Sequence, residues 1–479
     1  MRFRRLTVDM AALFAVAVAL RLYLAFAVGG EAVWDGHYYD FGARRIAAGF
    51  GYSDDLTIHG ATVWHPWSHY PVGFSAFLAV FYRIFGSDIR VAWVVCASVG
   101  AGLAAATYWL AHRAFGRRGA IVAGLLVALH PGLILYSALV MTEQLAALLT
   151  FIAFAGAIAC STPRRRAIAG GLLLGVAALV RPQALLCAPF IGLAALAQIG
   201  PHGLPAVAFA QPTALARFKS RVGALAIVAL ACAMALVPVL PWAARNCQVM
   251  DGCALVSTNG GWNLAIGAFP RATGRYETLR SSDGCSDVAG QVKQDRCWFN
   301  YGLNQIAASP TRWLKLIPAK LSHTFDHESF AVEYLHEARP DDWPDARRFF
   351  ARATLTAING LLIVLAAIGC AVYHVRSRGR LAVGAAIAAV AIMAALLLRR
   401  EPPTLWPLAL IPALLPWIRL KGAPESPIAL RLASSLLLTT IVTHAVFFGE
   451  DRYHIVVTPV MCIFAAALTA GVFRRPAEA

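Results

Sequence analysis

The sequence predicts an all-α polytopic membrane protein of about twelve transmembrane helices, with interfacial helices and a small outside insert of α/β or mixed structure. Three observations predict it. Of the 479 residues, 59% are hydrophobic and only 14% charged, and mean hydropathy is +0.63. A soluble chain cannot cover so much apolar side chain with so few charges, so the main solvent is lipid. Runs of about twenty mainly apolar residues recur from end to end. Short arginine-bearing connectors separate them, alternating with stretches that lack this excess.

In chain order the expected crossings are 7–28, 88–112, 118–136, 143–161, 166–180, 182–199, 220–243, 351–375, 380–398, 402–419, 428–448 and 453–473. The first is too long, and too poor in a small-residue exit site, for a cleaved signal peptide. The Pro-split stretch 166–199 is expected to pack irregularly. Residues 72–86 are apolar but too short to cross. Their Phe74, Phe77, Leu78, Phe81 and Phe85 recur at helical spacing, which predicts an interfacial helix on the outer leaflet. Counting 72–86 as a crossing would put the Arg164–Arg166 run outside.

Charge fixes the expected orientation. With the N-terminus in the cytoplasm, the inside segments hold 20 Lys and Arg against three acids, Asp9, Glu425 and Glu478. That excess equals the whole formal net charge of +17, and both termini come out cytoplasmic. Basic residues spread over loops in this way are a topology signal. They exclude nucleic-acid binding, which needs a compact basic patch. Three regions follow: a transmembrane core, 1–243, with an outside loop at 29–87; an outside insert, 244–350; and C-terminal transmembrane helices, 351–479.

Ten cysteines divide by place. Cys96, Cys160, Cys187, Cys232, Cys370 and Cys462 fall in apolar runs, where they read as small hydrophobes. Cys247, Cys253, Cys285 and Cys297 all fall in the outside insert, which predicts two disulfides. Proximity favours Cys247–Cys253 and Cys285–Cys297 among three connectivities.

The inside loops carry neither a Walker loop nor a GxGxxG after a strand, so chemistry is sought outside. There the ionisable residues gather at helix ends. Asp35 and Asp40 follow the first crossing; His65, His69 and Tyr70 follow in HPWSHYP. Glu143 opens a crossing, Arg181 marks a turn, and Arg245 with Asn246 closes the seventh crossing. Arg399, Arg400 and Glu401 form one late turn, and Arg452, Tyr453 and His454 another. Charges beside helix ends commonly serve only as interfacial anchors. Here six separate regions set acids and arginines at one membrane level.

The order of these motifs resembles a known family. Asp35, Tyr39 and Ala43 in D-x-x-x-Y-x-x-x-A run into AAGFGYS and then HYPVGFSAFLAVFYRIFG. MTEQL, GVAALVRP, PWAARN, TNGGWNLAIGAFPRATG and DRYHIVVTP follow. Together they look like bacterial GT-C glycosyltransferases, relatives of the lipid A aminoarabinose transferase and of protein O-mannosyltransferases. The resemblance implies a GT-C fold in the inner membrane with its site on the periplasmic face. It implies a polyprenyl-phosphate-linked sugar as donor and a glycolipid, glycan or protein as acceptor. One departure stands out: Gly36 occupies a position that is often Glu in relatives, so a pair of adjacent carboxylates is missing.

The resemblance also implies roles. Asp35 is the expected general base, with Trp34, Tyr38 and Tyr39 expected to raise its pKa; Asp40 is the rival base. Arg181, Arg245 and Arg452 are expected to hold the leaving phosphate, since Arg matches phosphate with paired donors. Glu143 is assigned to substrate hydroxyls or to holding one of those arginines. Tyr39, Tyr453 and His454 are expected substrate contacts. A divalent cation is left open, with His65 and His69, and Asp35 as third ligand, as the weakest candidate set. Arg21, inside the first crossing, is expected to snorkel outward or pair with an acid.

Two other classes stand beside this reading. A transporter or flippase would place ionisable residues near helix midpoints and show related halves, and neither is seen. An O-antigen ligase or polymerase would centre on arginines in one large outside loop, without an early Asp. An oligosaccharyltransferase is expected to carry a large soluble C-terminal domain, which a chain ending in FRRPAEA does not show.

Overall fold

The computed structural model describes residues 2–54, 57–58, 60–62, 64–196, 214–375, 404–418 and 425–472. The expected crossing 380–398, the turn Arg399–Glu401 and the basic residues Arg376, Arg378, Arg380, Arg419, Lys421, Arg474 and Arg475 lie outside these residues.

The chain is built almost wholly of helices. Helix α1 (Arg2–Val28) is followed by α2 (Trp34–Ala47), α3 (Gly73–Phe85), α4 (Ile89–Phe115), α5 (Arg117–Leu129) and α6 (Pro131–Leu135). Then come α7 (Glu143–Ala159), α8 (Pro163–Val180), α9 (Ala188–Ala195), α10 (Ala214–Leu236) and α11 (Leu240–Val249). Next are α12 (Gly260–Ile266), α13 (Gln291–Ala308), α14 (Pro310–Phe325) and α15 (Phe330–Ala338). The described residues end with α16 (Asp345–Val375), α17 (Trp406–Leu414), α18 (Ile428–Val446) and α19 (Thr458–Val472).

Among the described residues four helices are long and apolar enough to cross a membrane: Arg5–Val28, Ile89–Phe115, Asp345–His374 and Ile428–Val446. The number is six if two bent pairs each count as one span, α5 with Pro131–Ala138 (54°) and Val222–Leu236 with α11 (49°). Of the remaining expected crossings among the described residues, 166–180 falls within the continuous 18-residue α8, and the others are short or broken. The stretch 182–199 opens as a 3-10 turn, Pro182–Cys187, because Pro182 cannot continue α8. The stretch 453–473 likewise begins in a 3-10 turn, Asp451–Val456. Apolar run length alone overcounts full-length helices wherever proline interrupts the ladder.

Packing runs through small residues. Gly171 and Gly175 of α8 lie against the Ala231 and Ala235 carbonyls of α10, so close that a Cβ at either position would collide with backbone. Arg21 contradicts its expected role. Its side chain is fully buried and turns inward, donating to the Val127 and Ala128 carbonyls, each at 2.9 Å. Those carbonyls belong to the end of α5, where the ladder breaks before Pro131. A buried guanidinium thus takes the place of the missing helix partners.

Helix α3 stands as its own 13-residue element. Phe74, Leu78 and Tyr82 face inward, while Val80, Ile84 and Phe85 are exposed, an apolar outer face that suits lipid. The loop before it carries two short antiparallel pairings, of Ser53–Asp54 with His65–Pro66 and of Thr57–Ile58 with Ala61–Thr62.

The segment 244–350 is helical, where α/β or mixed structure was expected; its described residues form an isolated bridge, Arg275 with Gly449, but no strand. Both favoured disulfides are present, Cys247–Cys253 and Cys285–Cys297. This segment folds down onto the first loop. Thr258 N–H donates to Ser68 O at 2.8 Å, and Ser68 N–H donates to Gln291 Oε1 at 3.0 Å. Ile266, Phe269 and Trp298 pack with Phe448 and Tyr453, so the segment roofs the end of the helix bundle.

Candidate active site

Between that roof and the helix ends lies a cavity of about 990 Å³, the size of a substrate pocket. Its lining includes the charged Asp35, Glu143, Arg181, Asp295, Glu450 and Arg452 and the apolar Leu185, Leu186, Leu255, Ile266 and Phe447.

Asp35 sits in the first turn of α2, where the free N–H groups and helix dipole favour a carboxylate. The preceding residue, Trp34, has φ +48° and is the one non-glycine in the left-handed region among the described residues. That conformation costs about 1–2 kcal/mol. The Trp34 ring is held edge-on against Tyr334, 4.7 Å between centroids. Asp35 Oδ1 accepts from the Tyr70 hydroxyl at 2.6 Å, and Oδ2 accepts from Arg452 Nη1. Burial pushes the Asp35 carboxyl up, but Arg452 and the Tyr70 hydroxyl outweigh it and hold the group below the ordinary Asp value. This reverses the rise expected from the aromatic setting: the rings are there, but a cation and a hydroxyl donor reach both oxygens.

Arg452 is placed by its neighbours. Asp451 accepts from the Phe330 N–H at 3.1 Å and the Ser329 hydroxyl at 2.8 Å, capping α15. The Arg452 guanidinium then lies 4.8 Å from the Phe330 ring and 5.0 Å from the Tyr453 ring. Its Nε faces Glu450 at 3.2 Å. Arg181 pairs with Glu143 at 2.9 Å and lies 5.4 Å from the same Tyr453 ring. His444 stacks on Tyr453 at 4.1 Å. Two guanidiniums therefore stand beside one aromatic ring, each with a carboxylate partner.

Of the residues singled out in the sequence, the cavity gathers Asp35, Tyr39, His69, Glu143, Arg181, Arg452 and Tyr453. Arg245 stands apart from it. Its donors go to Tyr52 O at 2.7 Å and Trp67 O at 3.0 Å, and it stacks on Trp242 at 4.6 Å. It pins the first loop to α11 through both terminal nitrogens. His454 is also outside, fully enclosed between Thr324 O (2.8 Å) and Glu328 (3.4 Å). Asp40, the rival base, accepts from Tyr82 and from Arg44 at 2.6 Å, away from the cavity.

His65 does not join His69. It pairs with Asp54 at 2.8 Å across the Ser53–Asp54 strand, while His69 packs against Trp67, Tyr70 and Trp262. Burial lowers His69 to about 4. Among the described residues no three His, Cys, Asp or Glu side chains group in a way that would hold a metal ion. The cavity carboxylates Asp35, Glu143 and Glu450 are instead ion-paired to two arginines, and Asp295 accepts from the Gly261 N–H at 2.7 Å.

Sequence reasoning missed Glu450, Trp262, Asn259, Asn263, Phe330 and Tyr334, which also line the cavity. Glu450 lies two residues before Arg452 and carries no signal in the sequence that separates it from a solvated acid. Burial pushes it up to about 7, with Arg452 drawing it partly back.

No protein-family model and no curated protein sequence matches the chain. Solved structures are similar to it at low identity. The oligosaccharyltransferase of Archaeoglobus fulgidus, in a complex with Zn and sulfate, gives a TM-score of 0.46 at 11% identity over 96% of this chain and 49% of that one. AglB from the same organism, with an inhibitory peptide and a dolichol-phosphate, gives 0.45 at 12% over 96% and 50%. ArnT from Cupriavidus metallidurans, bound to undecaprenyl phosphate, gives 0.36 at 15% over 93% and 77%. The chain thus spans about half the length of the archaeal proteins.

Proposed function

We propose that this chain is a membrane glycosyltransferase moving a monosaccharide from a polyprenyl-phosphate donor to an acceptor hydroxyl or phosphate on the periplasmic face. The observation that carries the reading is the Asp35–Arg452 pair, joined across 417 residues of sequence on a cavity that apolar side chains also line. A base and a phosphate-matching cation in contact are the two groups that this transfer needs. The apolar lining residues support a lipid tail, and the ordered motifs around Asp35 support a sugar as the group moved.

In this reading the acceptor oxygen attacks the anomeric carbon as the bond from that carbon to the phosphate oxygen breaks. The acceptor proton passes to Asp35. The polyprenyl phosphate departs as a monoester with a second pKa of about 6, so it needs charge stabilisation more than a proton. Arg452 and Arg181 supply that charge. As Arg452 turns from Asp35 to the phosphate, Asp35 loses the partner that depresses its basicity, and becomes a better base when the donor is in place. Glu143 keeps Arg181 aligned, and Tyr39 and Tyr453 face the sugar-phosphate. Arg245 and His454 hold the walls and do not touch substrate.

Mass spectrometry of lipid-linked sugars and envelope glycans in a strain lacking the protein tests this. The expected result is accumulation of one polyprenyl-phosphate sugar and loss of that sugar from one envelope component. An unchanged profile sinks the reading.

A further inference from the structure

Arg452 carries two carboxylates. Its Nη1 donates to Asp35 and its Nε faces Glu450 at 3.2 Å, while Nη2 points to the Tyr453 hydroxyl at 3.3 Å. On the other side of the Tyr453 contact Arg181 is matched by Glu143. Counted formally, the two guanidiniums face three carboxylates before any substrate arrives; the fourth lining carboxylate, Asp295, is met by the Gly261 and Trp262 N–H groups. A donor phosphodiester brings one more negative charge to the same two arginines. In a pocket with most of its groups out of water, that second uncompensated charge is costly.

We propose that Glu450 is a positioning residue that takes up one proton from solvent when the donor phosphate binds, releasing Arg452 Nε to that phosphate. This rests on the lipid-phosphate reading above. The geometry favours Glu450 over its neighbours. Its side chain is 17% exposed and shares its one close cation with Asp35. The charged groups around it are Arg452 and Asp451 from its own segment, Asp35 from α2 and Arg275 from the roof. The same cavity is lined by the Glu143–Arg181 pair, His69 and Asp295. Asp35 keeps the Tyr70 hydroxyl at 2.6 Å as a second donor, which holds its charge in place after Arg452 turns. Glu450 has no comparable second donor in contact and lies in the more carboxylate-rich corner. With its carboxyl pushed up to about 7 by burial, it takes a proton near neutrality at little cost.

The sign follows from that position. A bound state holding a protonated Glu450 is favoured below pH 7 and loses affinity as pH rises through it. The probe is a short polyprenyl phosphate methyl ester, whose diester phosphate keeps one charge throughout. It is titrated calorimetrically into the full-length protein in lipid nanodiscs, in buffers of different ionisation enthalpy. Wild type is expected to take up about half a proton per ligand at pH 7 and nearly one at pH 8. Its affinity should fall about tenfold from pH 6 to pH 8. Glu450→Gln is expected to bind with the wild type's low-pH affinity at every pH and to take up none. Glu450→Asp, which keeps a carboxyl, should keep the uptake with a displaced midpoint, and thermal melting checks that both variants are folded. Ligand binding without proton uptake in wild type, or uptake that persists in Glu450→Gln, overturns the role of Glu450. No binding by any folded form at any pH overturns the lipid-phosphate reading, and this inference with it.

Discussion

Replacing Asp35 by Asn separates catalysis from binding. The amide is nearly isosteric and keeps an oxygen for the Tyr70 hydroxyl, so the fold loses little around it. It removes the proposed base, and general base catalysis by a positioned side chain contributes about 10²–10⁴-fold. It also removes the anion that competes with phosphate for Arg452. At an effective dielectric of about 20, unit charges about 4 Å apart attract by roughly 4 kcal/mol. Asp35 and Arg452 side chains are 21% and 14% exposed, so screening takes part of that. Releasing even about 1.4 kcal/mol to the ligand tightens binding tenfold. The expected signature is transfer slowed at least 100-fold together with tighter binding of polyprenyl phosphate, measured with a radiolabelled donor and by calorimetry on one preparation. A variant that retains a tenth of wild-type turnover refutes the base. One that loses binding together with turnover refutes the competition.

Further outcomes concern the scaffold. Arg245→Ala breaks two carbonyl contacts and is expected to cost about 1–3 kcal/mol, read as a lower Tm, while donor affinity per folded molecule stays at the wild-type value. A selective loss of donor affinity would instead return Arg245 to the phosphate site. Serine in place of both Cys285 and Cys297 is expected to cost about 2–4 kcal/mol, seen as a Tm that no longer responds to reductant at this bridge. A thiol placed at Arg165 is expected to react only with reagents that reach the cytoplasm; labelling from outside would reverse the orientation.

The sequence carried one kind of information well. Apolar runs and the helical spacing of Phe74, Phe77 and Phe81 mark where helices form, because burial acts on a whole helix face at once; that aromatic stripe, expected to lie on the outer leaflet, packs against the core instead. The cysteines Cys247, Cys253, Cys285 and Cys297 were equally legible, since close spacing leaves few loops to close. Asp35, Glu143, Arg181 and Arg452 were named as candidates from their positions at helix ends, and one cavity gathers them. What the sequence withheld was direction. Arg21, Arg245 and Arg452 are all arginines in or beside apolar helices, yet one caps a broken helix, one ties down a loop and one faces the cavity. Each choice depends on which carbonyls or carboxylates the rest of the chain brings within reach. Glu450 was invisible for a related reason, because its burial comes from a roof about two hundred residues earlier in the chain.

That the polar pair joins residue 35 to residue 452 bears on how the protein is made. At about 5–20 residues per second, the ribosome delivers Arg452 some 20–80 s after Asp35. For that interval the first-loop carboxylate waits without its cation, and the nascent chain lacks the pair on which the proposed transfer depends. A product cut short by stalled synthesis or by proteolysis, even one that forms most of its helices, is therefore expected to be inactive in that transfer.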